Sequence, residues 1–237
     1  MQLSRRNLVG FALASPLATL PAFSFSAVHA STPATLATKL SPDEALALLK
    51  KGNAAFQADA PLNPLIDTRR RAEIAQSQSP VAAILSCADS RVPPEILFGR
   101  GLGELFVVRN AGNVADVAAV GSLEYSVAML GAPLIVVMGH ERCGAVASAL
   151  TVVDEAREYP GSIGTMLEPI LPAVVASRSQ SGAPLVNATA GHAQRTAARL
   201  TRDLSPILAQ AVSAGRLKVV GAVYDLDTGA VKFLEGV

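Results

Sequence analysis

Tryptophan is absent from this 237-residue chain, aromatic residues together make up 4% of it, and it holds only two cysteines. Two cysteines do not build a disulfide-stapled scaffold. With so few rings, the core has to be assembled mainly from Ala, Val, Leu and Ile. Charge is scarce as well: 16% of residues are Asp, Glu, Lys or Arg, against about 25% in ordinary soluble proteins. The 20 basic and 19 acidic residues leave a net charge of +1, which offers no cationic field to nucleic acid or to an anionic membrane surface. Half of the sequence is hydrophobic, too much for a chain that stays unfolded. A compact globular protein remains.

The first thirty residues read as an address. Arg5 and Arg6 follow Ser4, an uncharged stretch runs from Asn7 to Ala27, and Val28-His29-Ala30 forms a small-x-small cleavage pattern before Ser31. The Ser4-Arg5-Arg6-Asn7-Leu8-Val9 run resembles the twin-arginine export signal, which a receptor reads. A retained anchor and a chance pattern in a cytoplasmic protein are the alternatives; Pro16 and Pro21 interrupt the apolar stretch and disfavour a stable span. The expectation is an export signal over 1–30, a Ser/Thr/Ala/Pro linker over 31–40 and a single domain over 41–237. The protein would be periplasmic, exported already folded, with no stable membrane anchor after cleavage. Removing the signal leaves about 200 residues, the size of one domain.

Ser41-Pro42-Asp43-Glu44 reads as an N-cap, a first-turn proline and an acidic first turn, opening a helix whose apolar face includes Leu46, Leu49 and Phe56. Arg69-Arg70-Arg71 reads as a solvated helix start or a subunit contact. Short β-rich runs follow at Val81–Ser86, Leu105–Val108, Leu134–Met138 and Leu217–Val223, each apolar enough for a strand covered on both faces of a parallel sheet. Helical patterns occupy 117–130, 163–176, 188–204 and 206–214. Alternation of strands and helices predicts an α/β fold, with four parallel strands. Asp227-Thr228-Gly229 then turns the chain into a short antiparallel edge strand over 231–234.

Both cysteines follow strand patterns: Cys87-Ala88-Asp89-Ser90-Arg91 after the first, His140-Glu141-Arg142-Cys143-Gly144 after the third. In open α/β sheets, ligands bind at the carboxyl ends of the strands. Thiolate and imidazole donors favour Zn²⁺ over Mg²⁺ or Ca²⁺. Three protein ligands with one open position would make a catalytic site. A structural disulfide between Cys87 and Cys143, and a nucleophilic cysteine with a histidine base, are the other readings. Asp89 is either a fourth ligand or a neighbour that accepts a hydrogen bond at the site. Arg91 is placed to hold its carboxylate in a bidentate pair, although a simple turn-stabilising pair has the same spacing. His29 lies in the leader and His192 in a late helix, which leaves His140 as the one histidine in a site-like context.

At these residues the chain resembles the β-class carbonic anhydrases, specifically the plant-like subset. The matches are Cys87-Ala88-Asp89-Ser90-Arg91-Val92 and Gly139-His140-Glu141-Arg142-Cys143-Gly144-Ala145, with Phe106–Asn113 and Gly121–Tyr125 between them. The resemblance implies zinc-dependent reversible hydration of CO2 to bicarbonate and a proton. It implies one Zn²⁺ per subunit on Cys87, His140 and Cys143, with Asp89 and Arg91 as a dyad beside it. Asp89 would bind the metal only in a closed, inactive state. It also implies a homodimer or a higher even oligomer, in which Gln78 contacts substrate across the interface. Some bacterial relatives carry a tryptophan three residues before the first cysteine, in a regulatory bicarbonate pocket; here that residue is Ile84. Val92 and Val114 are candidate walls for an apolar substrate. A CS2 or COS hydrolase on the same zinc site, and a non-enzymatic zinc or thiol-redox protein, are the competing functions.

Overall fold

The first helix begins where Ser41 closes a reciprocal cap: its hydroxyl accepts from the Glu44 amide at 3.3 Å, and the Glu44 carboxylate accepts from the Ser41 amide at 2.8 Å. Such a box satisfies two of the amide protons that a helix start leaves free. This helix, α1 (Pro42–Gln57), buries Ala45, Leu49, Gly52 and Asn53. The computed structural model describes residues 38–60, 62 and 64–234. The expected signal, 1–30, and linker residues 31–37 lie outside the described residues.

Five strands form one sheet: β1 (Ala82–Cys87), β2 (Leu105–Asn110), β3 (Leu134–His140), β4 (Lys218–Tyr224) and β5 (Val231–Phe233), in the order β2-β1-β3-β4-β5. The first four run parallel and β5 pairs antiparallel with β4. Side chains alternate between faces along a strand, and the core divides accordingly. Ala83, Leu85, Ile135 and Val137 pack with Leu123 of α4 (Val117–Ala128), Ala193 and Ala197 of α8 (Pro184–Arg199) and Leu208 of α9 (Pro206–Ser213). Ile84, Leu134, Val136 and Met138 pack with Leu49 of α1 and Leu97 of α3 (Pro94–Leu97). Each fully buried Leu or Ile side chain contributes about 1.5–3 kcal/mol, so two layers of them make the central strands rigid supports.

Three sequence expectations need correction. The expected both-face burial fails for β2, the sheet edge, which is half-buried over Leu105–Val108 and exposed at Arg109, and in part for β4, where buried and half-buried residues are interspersed. The continuous helix expected over 163–176 is divided into α6 (Ile163–Leu167), a 3₁₀ turn (Glu168–Ile170) and α7 (Leu171–Ser177). Pro169 and Pro172 cannot donate the amide bonds that an unbroken helix requires. The pattern over 188–204 begins earlier, at Pro184, and ends as a π turn over Leu200–Leu204. Two helices carried no clear advance signal, α3 and α5 (Gly144–Glu155), whereas α2 (Thr68–Ile74), capped by Asp67, forms at the helix start that Arg69-Arg70-Arg71 suggests.

Asn53 ties α1 to distant chain. Its amide nitrogen donates to the carbonyls of Leu97 and Gly229, at 3.3 and 2.9 Å, while its carbonyl accepts from the Val231 amide at 2.8 Å.

Candidate metal centre

The carboxyl ends of β1 and β3 deliver the polar residues. Cys87 is the last residue of β1, paired with Asn110 of β2, and His140 is the last of β3, paired with Tyr224 of β4. Beyond His140, the Glu141 amide continues the pairing by donating to the Tyr224 carbonyl at 2.9 Å. Arg142 then adopts a left-handed backbone, φ 51°, a conformation uncommon outside glycine. That reversal brings Cys143 to the N-cap of α5. Two bonds of 2.8 Å from the Arg142 guanidinium to the Asp227 carboxylate secure it.

Cys87, His140 and Cys143 are all buried, and their donor atoms lie within 4.8 Å of one another. The two sulfurs are 4.0 Å apart and both cysteines are free. His140 Nδ1 lies 2.9 Å from the Glu141 carbonyl and therefore carries the proton, since a carbonyl only accepts. Nε2 is then a bare lone pair, buried and without a hydrogen-bond partner among the described residues. A buried nitrogen in that condition costs about 1–3 kcal/mol unless something accepts its electron pair. Two sulfurs each about 2.3 Å from a tetrahedral zinc stand about 3.8 Å apart, close to the separation here. The residues fit a zinc ion.

Electrostatics favour an anionic sulfur at Cys87. The Cys143 thiol beside it holds its pKa well below the usual thiol range, against the effect of burial, with help from the amides of Gly112 and Asp89. Cys143 is pushed up by the same pairing and by burial, although the Ala145 and Val146 amides at the start of α5 oppose this. A divalent cation would replace the shared proton and leave both as thiolates.

Asp89 stands beside the cluster. Its Oδ2 is 3.8 Å from His140 Nε2. Arg91 donates from Nε to Oδ1 at 2.9 Å and from Nη2 to Oδ2 at 2.8 Å, and the Arg91 amide adds a bond to Oδ1 at 3.0 Å. These bonds hold the Asp89 carboxyl well below the usual carboxylate range. Gln78 is exposed on the coil between α2 and β1. Val114 packs in one cluster with both cysteines, whereas Val92 packs with Ile84, Leu97 and Phe98 and does not wall the site.

Two contributors went unrecognised in the sequence. Arg109 braces the first motif, donating from Nε to the Cys87 carbonyl at 3.0 Å and from Nη2 to the Asp89 carbonyl at 2.7 Å. His192, expected to be unconnected to the site, lies 2.9 Å from the Gly112 carbonyl, and the Gly112 amide donates to Cys87 Sγ at 3.3 Å. The apolar spacing of Ala188, His192, Ala193 and Thr196 signals a buried helix face and no more than that.

Residues 82–231 match the profile of the family described as carbonic anhydrase. The chain is 42% identical over 191 residues to a carbonic anhydrase of Mycolicibacterium smegmatis, covering 81% of this chain and 92% of that one. It is 40% identical to carbonic anhydrase 2 of Mycobacterium tuberculosis, covering 79% and 90%. Among solved structures, a tetrameric β-carbonic anhydrase of Sordaria macrospora superimposes with a TM-score of 0.63 at 26% identity, over 70% of this chain and 85% of that one. A Coccomyxa β-carbonic anhydrase in complex with acetazolamide gives 0.61 at 29% identity, over 71% and 78%.

Proposed function

The chain belongs to the β-class carbonic anhydrases, and from that premise we propose that Cys87, His140 and Cys143 hold the zinc ion with which it interconverts CO2 and bicarbonate. The observation that carries the ligand set is the convergence of two buried sulfurs on a buried imidazole nitrogen with no partner. Bound zinc would supply Lewis acidity, lowering the pKa of a coordinated water to about 7.

The chain's own residues supply the rest. Asp89, kept ionised by Arg91, is an acceptor-only group at the edge of the cluster. It takes the hydrogen bond of the attacking water and so fixes which lone pair faces the CO2 carbon. Because Arg91 occupies both carboxylate oxygens, Asp89 stays off the metal and the closed, inactive arrangement is avoided. Val114 gives the apolar wall that a nonpolar gas prefers. The proton released in each turnover leaves to solvent. Gln78, exposed on the coil before β1, reaches substrate from a second subunit in a dimer or a higher even assembly, where its amide steadies the developing bicarbonate oxygen.

The leader assigns the enzyme to the periplasm by the twin-arginine route. Among the described residues no helix is long and apolar enough to cross a membrane. CS2 or COS hydrolysis is not favoured, since the relatives at 40–42% identity are carbonic anhydrases.

Metal analysis with stopped-flow CO2 hydration tests the assignment. The mature chain holds one zinc per subunit and is active; Cys87→Ser and His140→Ala lose both metal and activity while remaining folded. Full activity in either folded variant overturns the ligand set.

A further inference from the structure

His192 takes no part in the chemistry above, yet its position is demanding. The ring is buried on α8 with Nε2 on the Gly112 carbonyl at 2.9 Å. A carbonyl only accepts, so Nε2 carries the proton and Nδ1 is bare. Nδ1 has no partner among the described residues. Burying a bare ring nitrogen costs about 1–3 kcal/mol, a cost that Leu or Met would not incur if the position required only volume. The hydrogen bond to Gly112 is what distinguishes histidine here.

Gly112 is equally constrained. Its φ is +77°, and an added Cβ would lie 2.7 Å from Ile170 Cδ1 and 3.0 Å from Ala145 Cβ. The loop around it is pinned at its ends by the Asn110 side chain, which bonds both the amide and the carbonyl of Val114 at 2.7 Å. Its middle has two attachments: the Gly112 carbonyl to His192, and the Gly112 amide to Cys87 Sγ. An amide proton on a thiolate draws charge from the sulfur. The sulfur then gives less to a bound ion, which remains the stronger Lewis acid.

We propose that His192 is a positioning residue of the metal centre: by holding the Gly112 carbonyl it fixes the Gly112 amide on Cys87 Sγ and limits the charge that this sulfur gives to the ion. The proposal rests on the zinc reading of the preceding section and extends it to a residue on a helix outside both ligand motifs.

The test uses the full mature chain loaded with cobalt(II), read by its thiolate-to-metal charge-transfer absorption, alongside zinc affinity by competition with a chromogenic chelator. His192→Leu removes the donor. Its charge-transfer band moves to longer wavelength, because a less hydrogen-bonded sulfur gives up electrons more readily, and zinc affinity changes roughly 10- to 100-fold. His192→Gln, whose amide nitrogen sits where Nε2 did, restores the wild-type band. A His192→Leu protein with the wild-type band and affinity overturns the proposal and leaves the zinc site standing. A wild-type chain that takes up neither ion overturns the zinc reading and this proposal with it. Should His192→Leu not fold, ¹⁵N spectra of histidine-labelled, zinc-loaded wild type decide: a neutral ring protonated at Nε2 supports the proposal, and one protonated at Nδ1 overturns it.

Discussion

Arg91 grips Asp89 through two parallel bonds, of 2.9 and 2.8 Å, and one of the gripped oxygens stands 3.8 Å from the bare nitrogen of His140. The carboxylate is near enough to act on whatever occupies the cluster, and Arg91 restrains it on both oxygens. Position and restraint come from the same pair.

Replacing Arg91 therefore releases Asp89 toward the metal. Arg91→Ala keeps its zinc while kcat/KM falls roughly 10- to 100-fold, the usual effect of losing a partner just outside a metal's ligands. Arg91→Lys does little better, because an ammonium cannot form the two-pronged bond. Stopped-flow hydration with parallel metal analysis checks both; a Lys variant at wild-type rate would contradict the bidentate argument.

Chelation gives a second prediction. Under the proposed ligand set Cys87 and Cys143 are zinc-bound thiolates, so a thiol reagent added to native holoprotein labels neither on a short timescale. After stripping under reducing conditions, two thiols per chain react and the melting temperature falls, because a ligand that binds only the folded state stabilises it by mass action. Labelling unaffected by chelator would count against metal ligation.

Acid sensitivity follows from His192. Burial lowers its pKa to about 4, from an ordinary value of 6.5. The unfolded chain thus binds a proton at a pH where the folded chain does not. The contribution is fully present above pH 6.5 and is lost as pH falls toward 4, at a cost approaching about 3 kcal/mol for a shift of this size. His192→Gln does not titrate. The stability gap between wild type and this variant, measured by denaturant unfolding at pH 7.5 and pH 5, shifts in the variant's favour at the lower pH. A gap that is independent of pH would refute the assignment of a neutral buried ring.

Gly52 provides a packing test. On an exposed helix, Gly→Ala gains up to about 1 kcal/mol. Here the new Cβ would stand 1.9 Å from the Phe98 carbonyl oxygen, a backbone atom that cannot swing away. Gly52→Ala is destabilised by about 2 kcal/mol or more, which thermal melts would show as a lowered midpoint.

The sequence reveals elements whose burial is continuous and hides those held by single contacts. Strands β1 and β3 are apolar throughout because they are covered on both faces, and their ends mark where Cys87 and His140 emerge. Edge strand β2 has a similarly apolar run over Leu105–Val108 that is only half-buried, a distinction set by its place at the sheet edge. The helix expected over 163–176 breaks because two prolines override an intact apolar pattern. At the site, the thiolate-and-imidazole donor set and the Asp89–Arg91 spacing are written in residue types. Arg109 and His192 act on backbone carbonyls, and any residue can offer a carbonyl, so no sequence pattern marks the partner. Gln78 is exposed in the single chain, and the part proposed for it needs a neighbouring copy.

Asn53 joins the opening helix to Val231, 178 positions later. A nascent chain therefore cannot complete its first helix's docking until nearly all of it has been synthesised. A truncation before Val231 would strand a buried amide near the beginning of the fold, and its damage would surface far from the cut.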